Sequence, residues 1–228
     1  INDDDEWIVT YGQGSPSLSA VWMASQHSDD QGETWDKVIP SQEVSNHFQN
    51  LIHPCKAPGT DRVYLFYLDA EFGLTLWRSE DGGRTWPLDN RVAVQSSDED
   101  ATVSTGLDSN CVARGDEVWA VYGLTDHDPG GGQTLARLTD IRLAHSSDGG
   151  ATFDARTSVD DDDAGTSFLL PHIALEEDGA IDLTYVAGQG PDDTEASFRH
   201  ARSTDGGMTF APSVRVVGPV TYELDRAD

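Results

Sequence analysis

Ser146-Ser147-Asp148-Gly149-Gly150-Ala151-Thr152-Phe153 decides the fold, because it does not stand alone. The same pattern, Ser-x-Asp-x-Gly-x-Thr and then an aromatic residue, begins again at Ser28, Ser79 and Ser203 and closes on Trp35, Trp86 and Phe210. One match would carry little information. Four in a chain of 228 residues mark an internal repeat, which governs every local reading. Asp-Gly and Gly-Gly are tight-turn signals, since glycine reaches positive φ without a Cβ clash. The carboxylates of Asp30, Asp81, Asp148 and Asp205 can accept hydrogen bonds from backbone N–H groups just ahead of them. The Ser and Thr hydroxyls can tie the flanks in the same way, and the closing aromatic can pack under the turn. These four Asp residues therefore read as turn formers, not as catalysts.

Strand signals surround each copy. Immediately upstream lie Val21 to Ser25, Leu74 to Arg78, Ile141 to His145 and Phe198 to Arg202. Before those come Trp7 to Tyr11, Val63 to Tyr67, Val118 to Tyr122 and Ile181 to Val186, rich in β-branched and aromatic residues. Earlier still are inner-strand candidates at Asn50 to Cys55, Ser109 to Arg114 and Leu169 to Leu175. Outer strands follow the copies, for example at Val38 to Pro40, Val92 to Val94 and Val214 to Val217. Four strands per unit is the arrangement of a propeller blade, and no segment carries a long 3.6-residue apolar period. The expected fold is all-β: a propeller of four blades occupying residues 1–228 as one domain. It is either a complete ring or part of a larger, six-bladed type. The first unit starts at its second strand, so residues 219 to 225 are a candidate for its missing inner strand.

The octapeptide resembles the Asp-box, or bacterial neuraminidase repeat, of sialidase-like β-propellers, and the resemblance covers nearly the whole chain. It implies that the boxes lie on the face away from the ligand site. It also implies a glycan-processing enzyme, an exo-glycosidase of the sialidase type, or else a non-catalytic module that binds a glycan or protein. A sialidase clamps its substrate carboxylate with three Arg residues and uses a Tyr nucleophile beside a Glu, with an Asp as acid. The family's N-terminal Phe/Tyr-Arg-Ile-Pro motif is absent here. Arg142 and Arg199 hold equivalent positions four residues before their box Ser and could supply two clamps. Ion pairing with the acidic surface is their plainer reading. Tyr222, Glu223, Asp69 and Glu71 are the catalytic candidates by composition and by their place in loops or the presumed closing strand. Asn110 and His172, at the starts of inner strands, are further ligand-binding candidates.

The charge narrows the partners. Thirty Asp and eleven Glu stand against twelve Arg and two Lys, a formal net charge of −27. Nucleic acid and anionic membrane surfaces need a basic footprint and are not expected partners. No apolar run reaches the length of a membrane span. Such an imbalance with so few Lys suits either a high-salt setting, where screening relieves self-repulsion, or an ordinary acidic secreted protein. The first residue is Ile1, which reads as processing or trimming. Cys55 and Cys111 form no Cys-x-x-Cys pattern, so no zinc site is expected from them. They fall at equivalent inner-strand positions of neighbouring units, where a disulfide and two buried thiols are both open. His27, His145 and His200 lack metal-like spacing, and no metal or cofactor is expected. The run Asp160 to Asp163 has oxygen ligands for Ca2+ but reads more simply as a solvated acidic loop. Oligomeric state is left open.

Overall fold

A computed structural model describes residues 7–14, 21–36, 39–43, 53–69, 73–95, 102–103, 109–125, 138–159, 166–189 and 195–221. The first blade contains β1 (Trp7–Gly14), β2 (Val21–Ser28) and β3 (Ile39–Glu43). The second contains β4 (His53–Lys56), β5 (Val63–Asp69), β6 (Gly73–Ser79) and β7 (Arg91–Gln95). A two-residue strand, β8 (Thr102–Val103), pairs with the far end of the third blade's second strand. That blade comprises β9 (Ser109–Arg114), β10 (Glu117–Thr125), β11 (Leu138–Ser146) and β12 (Asp154–Ser158). The fourth comprises β13 (Thr166–Leu175), β14 (Ile181–Gln189), β15 (Glu195–Ser203) and β16 (Val214–Thr221). Every pairing within the blades is antiparallel; the box of the first blade joins β2 to β3, and each later box joins a third strand to a fourth. A single 3-10 turn at Leu88–Asn90 is the helical content of the described residues.

The end of the chain differs from the sequence expectation. Residues 219 to 221 belong to β16, where Val220 faces Ala196 and Thr221 faces Glu195. They extend the outer edge of the fourth blade and do not supply an inner strand to the first. Continued pairing along β15 satisfies their backbone locally, without a long return across the molecule. Residues 222 to 225 lie outside the described residues.

Strand alternation builds the core between blades, since successive side chains point to opposite faces. From β10, Val118, Ala120 and Tyr122 pack against Tyr64, Phe66, Leu74 and Leu76 of the second blade. Trp119 and Val121, one residue out of phase, pack toward Ile181, Leu183 and Tyr185 of the fourth. Tyr64, Phe66, Leu76 and Tyr122 are fully buried, and the side chains of Phe66 and Leu76 each contribute about 1.5–3 kcal/mol.

The boxes repeat one hydrogen-bond network. In the third, Ser146 Oγ donates to Asp148 Oδ1 at 2.7 Å and accepts from Gly150 N at 2.9 Å. Asp148 accepts from Thr152 N at 2.9 Å and from Thr152 Oγ1 at 2.6 Å. Ser28/Asp30, Ser79/Asp81 and Ser203/Asp205 make the corresponding bonds. Those bonds favour the ionised carboxyl. The Thr209 contacts are the largest cause holding Asp205 down at about 2, and the Thr152 contacts hold Asp148 lower still.

The box is also a joint between blades. A Cβ on Gly150 would lie 2.5 Å from Leu76 Cδ2 and 3.2 Å from Tyr64 Cε1 of the preceding blade. A Cβ on Gly207 would lie 2.5 Å from Leu143 Cδ2, and one on Gly83 would lie 1.9 Å from Ile8 Cδ1. The preceding blade reaches back to the turn: Arg78 Nη1 donates to Gly149 O at 2.8 Å, and Trp119 Nε1 donates to Gly206 O at 2.9 Å. Gly83, Gly150 and Gly207 thus combine positive φ with close approach to the preceding blade.

Two outcomes follow. Gly150→Ala and Gly59→Ala meet similar positive φ (80° and 73°), but nothing lies within 4 Å of a Cβ at Gly59. Urea unfolding should show Gly150→Ala the more destabilising by about 1–3 kcal/mol, the overpacking increment; equal losses would remove the inter-blade role. For acid stability, the folded Asp205 carboxyl titrates at about 2, below its ordinary 3.8. Its contribution is present above about pH 4 and is lost as pH falls through about 2. Asp205→Asn should therefore flatten the fall in urea midpoint across that window.

Candidate functional site

The boxes and the hairpins between first and second strands share one face, because Gly82 N donates to Asp61 O at 2.7 Å and Gly149 N to Asp116 O at 2.8 Å. The opposite face holds the beginnings of the inner strands. There β4, β9 and β13 lie side by side, with β9 touching both neighbours. Two covalent or polar links join them. Cys55 and Cys111 form a disulfide from β4 to β9, with Cα atoms 5.7 Å apart, which resolves the choice left open by the sequence. Asn110 Nδ2 lies 2.9 Å from His172 Nδ1, joining β9 to β13.

The chemistry of the second link is determined by its neighbours. Asn110 Oδ1 accepts from Cys111 N at 2.7 Å, which fixes the amide so that its nitrogen faces His172. An amide nitrogen only donates, so Nδ1 of His172 accepts and neutral His172 carries its proton on Nε2. His172 is exposed, and in this tautomer Nε2–H is its remaining donor. The backbone beside it is bent. Leu170 has φ 54° and is 47 % exposed, at a break in the β13–β14 register between Leu169 and His172. A non-glycine residue there stores roughly 1–3 kcal/mol, and the following Pro171, which is buried, restricts it further.

Arg142 and Arg199 bind within their own blades. Arg142 Nε donates to Asp140 Oδ2, and the other oxygen of Asp140 accepts from Ser158 Oγ at 2.9 Å. Arg199 Nε donates to Ser197 Oγ at 3.3 Å and Nη1 to Ser213 Oγ at 3.1 Å. Each stands opposite a buried tyrosine in the strand register, Tyr122 for Arg142 and Tyr185 for Arg199. Burial pushes the Tyr122 phenol well above its ordinary range, Arg142 draws it partly back, and Asp140 adds to the rise. This repeated tyrosine–arginine register was present in the sequence as Tyr122 and Tyr185 in aligned second strands. Asp69 ends β5 opposite Gly73, at the end away from the box. Glu71, Tyr222 and Glu223 lie outside the described residues, as does the run Asp160 to Asp163.

The fourth blade contains a further charged group that sequence spacing did not reveal. Asp182 Oδ2 accepts from Arg202 Nη1 at 2.6 Å, and Asp182 Oδ1 lies 2.7 Å from His200 Nε2. A third group, His27 with Asp29 and Asp36, presents metal-ligand atoms within 4.8 Å of one another. No helix among the described residues is long and apolar enough to cross a membrane.

Comparison with known proteins agrees with this architecture. The BNR/Asp-box repeat family matches residues 26–37. A xyloglucanase from a Paenibacillus species is 26% identical over 226 residues, a match taking in 91% of this chain and 20% of that protein. An α-L-arabinanase from Penicillium chrysogenum, solved with arabinobiose, superposes with TM-score 0.62 at 14% identity, over 95% of this chain and 65% of that one. A PL25 ulvan lyase gives TM-score 0.61 at 15% identity, over 97% and 57%. The NanB sialidase from Streptococcus pneumoniae gives 0.52 at 14%, over 87% and 29%. The chain thus spans a fifth of that curated relative and under two thirds of each of these structures. The chain carries an Asp-box repeat match at residues 26–37 and has an all-β propeller fold similar to that of these structures.

Arg142→Ala tests the structural role of that side chain. With the Arg142 side chain about one third exposed, at 34%, the pair with Asp140 is screened. The expected loss in urea unfolding is under about 1 kcal/mol, with sialoside binding as in the parent.

Proposed function

We propose that this chain is a glycan-recognising propeller domain spanning residues 1–228, and that it receives its ligand on the inner-strand face where Asn110 meets His172. The observation that carries this reading is the fixed tautomer of an exposed His172 beside strained Leu170. Sugar hydroxyls accept and donate, so a positioned Nε2–H on a rigid strand suits them. The names of the similar proteins, a xyloglucanase, an arabinanase, an ulvan lyase and a sialidase, support a carbohydrate ligand. The engagement of Arg142 by Asp140 favours contacts to hydroxyls over a clamp on a sugar carboxylate. It likewise favours a binding module over a sialidase. An exo-glycosidase is the second reading. It is favoured by Asp69 at the end of β5 away from the box, with Glu71 just beyond it in sequence.

Secretion into an oxidising compartment is part of the proposal, because disulfides such as Cys55–Cys111 form and persist in oxidising surroundings. A high-salt setting would suit the net charge of −27. Melting temperature should then rise from dilute to molar NaCl; a flat response would reject that setting.

The test of function is a glycan array together with fluorogenic glycosides, at low and molar salt. His172→Ala should weaken glycan binding about fivefold or more, the loss of one good hydrogen bond, while thermal unfolding stays near the parent's. Absence of glycan binding, or binding unchanged by His172→Ala, rejects the site. Turnover of a glycoside that Asp69→Asn abolishes favours the exo-glycosidase.

A further inference from the structure

The residues that flank the four boxes are an internal comparison. The position just before the box Ser holds His27, Arg78, His145 and Arg202. The position just after that Ser holds Asp29, Glu80, Ser147 and Thr204. The position just after the closing aromatic holds Asp36, Pro87, Asp154 and Ala211. In the second blade the first two positions form an ion pair, Arg78 Nε to Glu80 Oε1 at 2.6 Å. In the third, the central position has no acid, and His145 turns to Glu117 instead. In the fourth, Arg202 binds Asp182 and Asp178.

The first blade alone places a histidine and two carboxylates at these three positions. Folding brings them together: Asp36 N donates to His27 O at 2.7 Å, closing the box loop, so its first and last neighbours lie side by side. The His27 side chain is 5% exposed. Its Nδ1 is buried and lies 3.2 Å from Asp29 Oδ1, yet makes no hydrogen bond. The approach meets the distance of an ion pair but not the alignment of a hydrogen bond, and an N–H aimed past its acceptor gains little. A buried ring nitrogen with no hydrogen bond thus faces a carboxylate oxygen, with a second carboxylate within 4.8 Å. Where Arg78 supplies a fixed positive charge to Glu80, imidazole supplies none while neutral.

We propose that His27, Asp29 and Asp36 form a binding site for a first-row divalent cation, with Zn2+ the best chemical match. One imidazole nitrogen and two carboxylate oxygens are zinc ligands at about 2.0–2.2 Å, and a tetrahedron with such bonds has edges of about 3.3 Å. The 3.2 Å between Nδ1 and Oδ1 is of that size. Imidazole disfavours Ca2+ and Mg2+, which take oxygen ligands. Three protein ligands leave one position for water. The nearby cation Arg84, from the second box, reaches Asp29 Oδ1 at 2.9 Å. It neutralises part of the site's charge and acts against the metal. The site would clamp the first box loop at its junction with the second blade.

The test uses the intact chain stripped with EDTA and titrated with ZnCl2 by calorimetry, with CaCl2 as the control ion. One Zn2+ per chain should bind. At about a hundredfold excess over Kd the melting temperature should rise by roughly 5 °C or more. Asp36→Asn, an exposed change that spares packing, should weaken zinc at least about tenfold, and His27→Gln should do the same. Arg84→Ala should tighten zinc, because it removes a competing positive charge. Co2+ in place of zinc should give visible absorption that His27→Gln removes. Zinc binding unchanged in Asp36→Asn overturns the proposal, even if His27→Gln fails to fold. Equal binding of Ca2+ and Zn2+ that fades with salt also overturns it, as diffuse attraction to an acidic surface.

Discussion

The structure depends on a glycine turn held rigid enough to be pressed into a neighbouring blade. One Asp carboxylate and one Ser hydroxyl brace each box from inside, through bonds to backbone N–H groups that would otherwise have no partner within the turn. That bracing lets Gly83, Gly150 and Gly207 approach the preceding blade more closely than any side chain would permit. The preceding blade then bonds to the turn's carbonyls. Local turn chemistry and long-range packing are therefore one interaction. It carries the chain from blade to blade, and apolar faces such as Tyr64 with Leu76 close around it.

On the other side of the molecule a second set of ties fixes the inner strands. The disulfide between β4 and β9 and the Asn110–His172 bond between β9 and β13 start from adjacent residues, 110 and 111. Alternation explains why they diverge: neighbours on a strand face opposite ways, so one reaches the second blade and the other the fourth. His172 is thereby held from both its own bent strand and its neighbour's. A donor so placed loses little freedom on meeting a ligand, which is what makes a few polar groups sufficient for recognition.

The repeat made the architecture legible before any coordinates. Ser109 to Arg114 falls on β9, and the strands at Trp7, Val63, Val118 and Ile181 appear where β-branched and aromatic residues predicted them. The turn role of the box Asp residues was legible for the same reason, since its chemistry is local. The inter-blade role of the glycines was not, because it depends on which side chains of another repeat lie opposite. The same limit applies to the site. Asn110 and His172 were expected at inner-strand starts; β9 does begin beside Asn110, but β13 begins six residues before His172, and their contact spans two blades. The His27 group was hidden because its donors are separated by a whole box and meet only when the loop closes. Residues 219 to 221 were misplaced by counting lengths, where the pairing in fact continued along β15.

Charge adds a last constraint. Fourteen Lys and Arg serve a chain with forty-one Asp and Glu, so each cation's placement matters. Several are committed at blade junctions. Arg62 pairs with Asp116 of the third blade, and Arg78 binds the carbonyl of Gly149. Arg84 reaches back to Asp29 of the first blade, and Arg114 donates to the carbonyls of Glu176 and Glu177 in the fourth. These residues join segments distant in sequence, on the face that carries the boxes. Arg142, the cation nearest in sequence to the opposite end of its strand, is engaged by Asp140. A carboxylate ligand approaching such a protein meets net repulsion and must displace Asp140 to gain Arg142. A neutral glycan meets neither penalty, because hydroxyl recognition needs oriented donors and acceptors rather than net charge. The same acidity that repels an anionic sugar raises the local concentration of cations, which is why a histidine facing two carboxylates is chemically significant here.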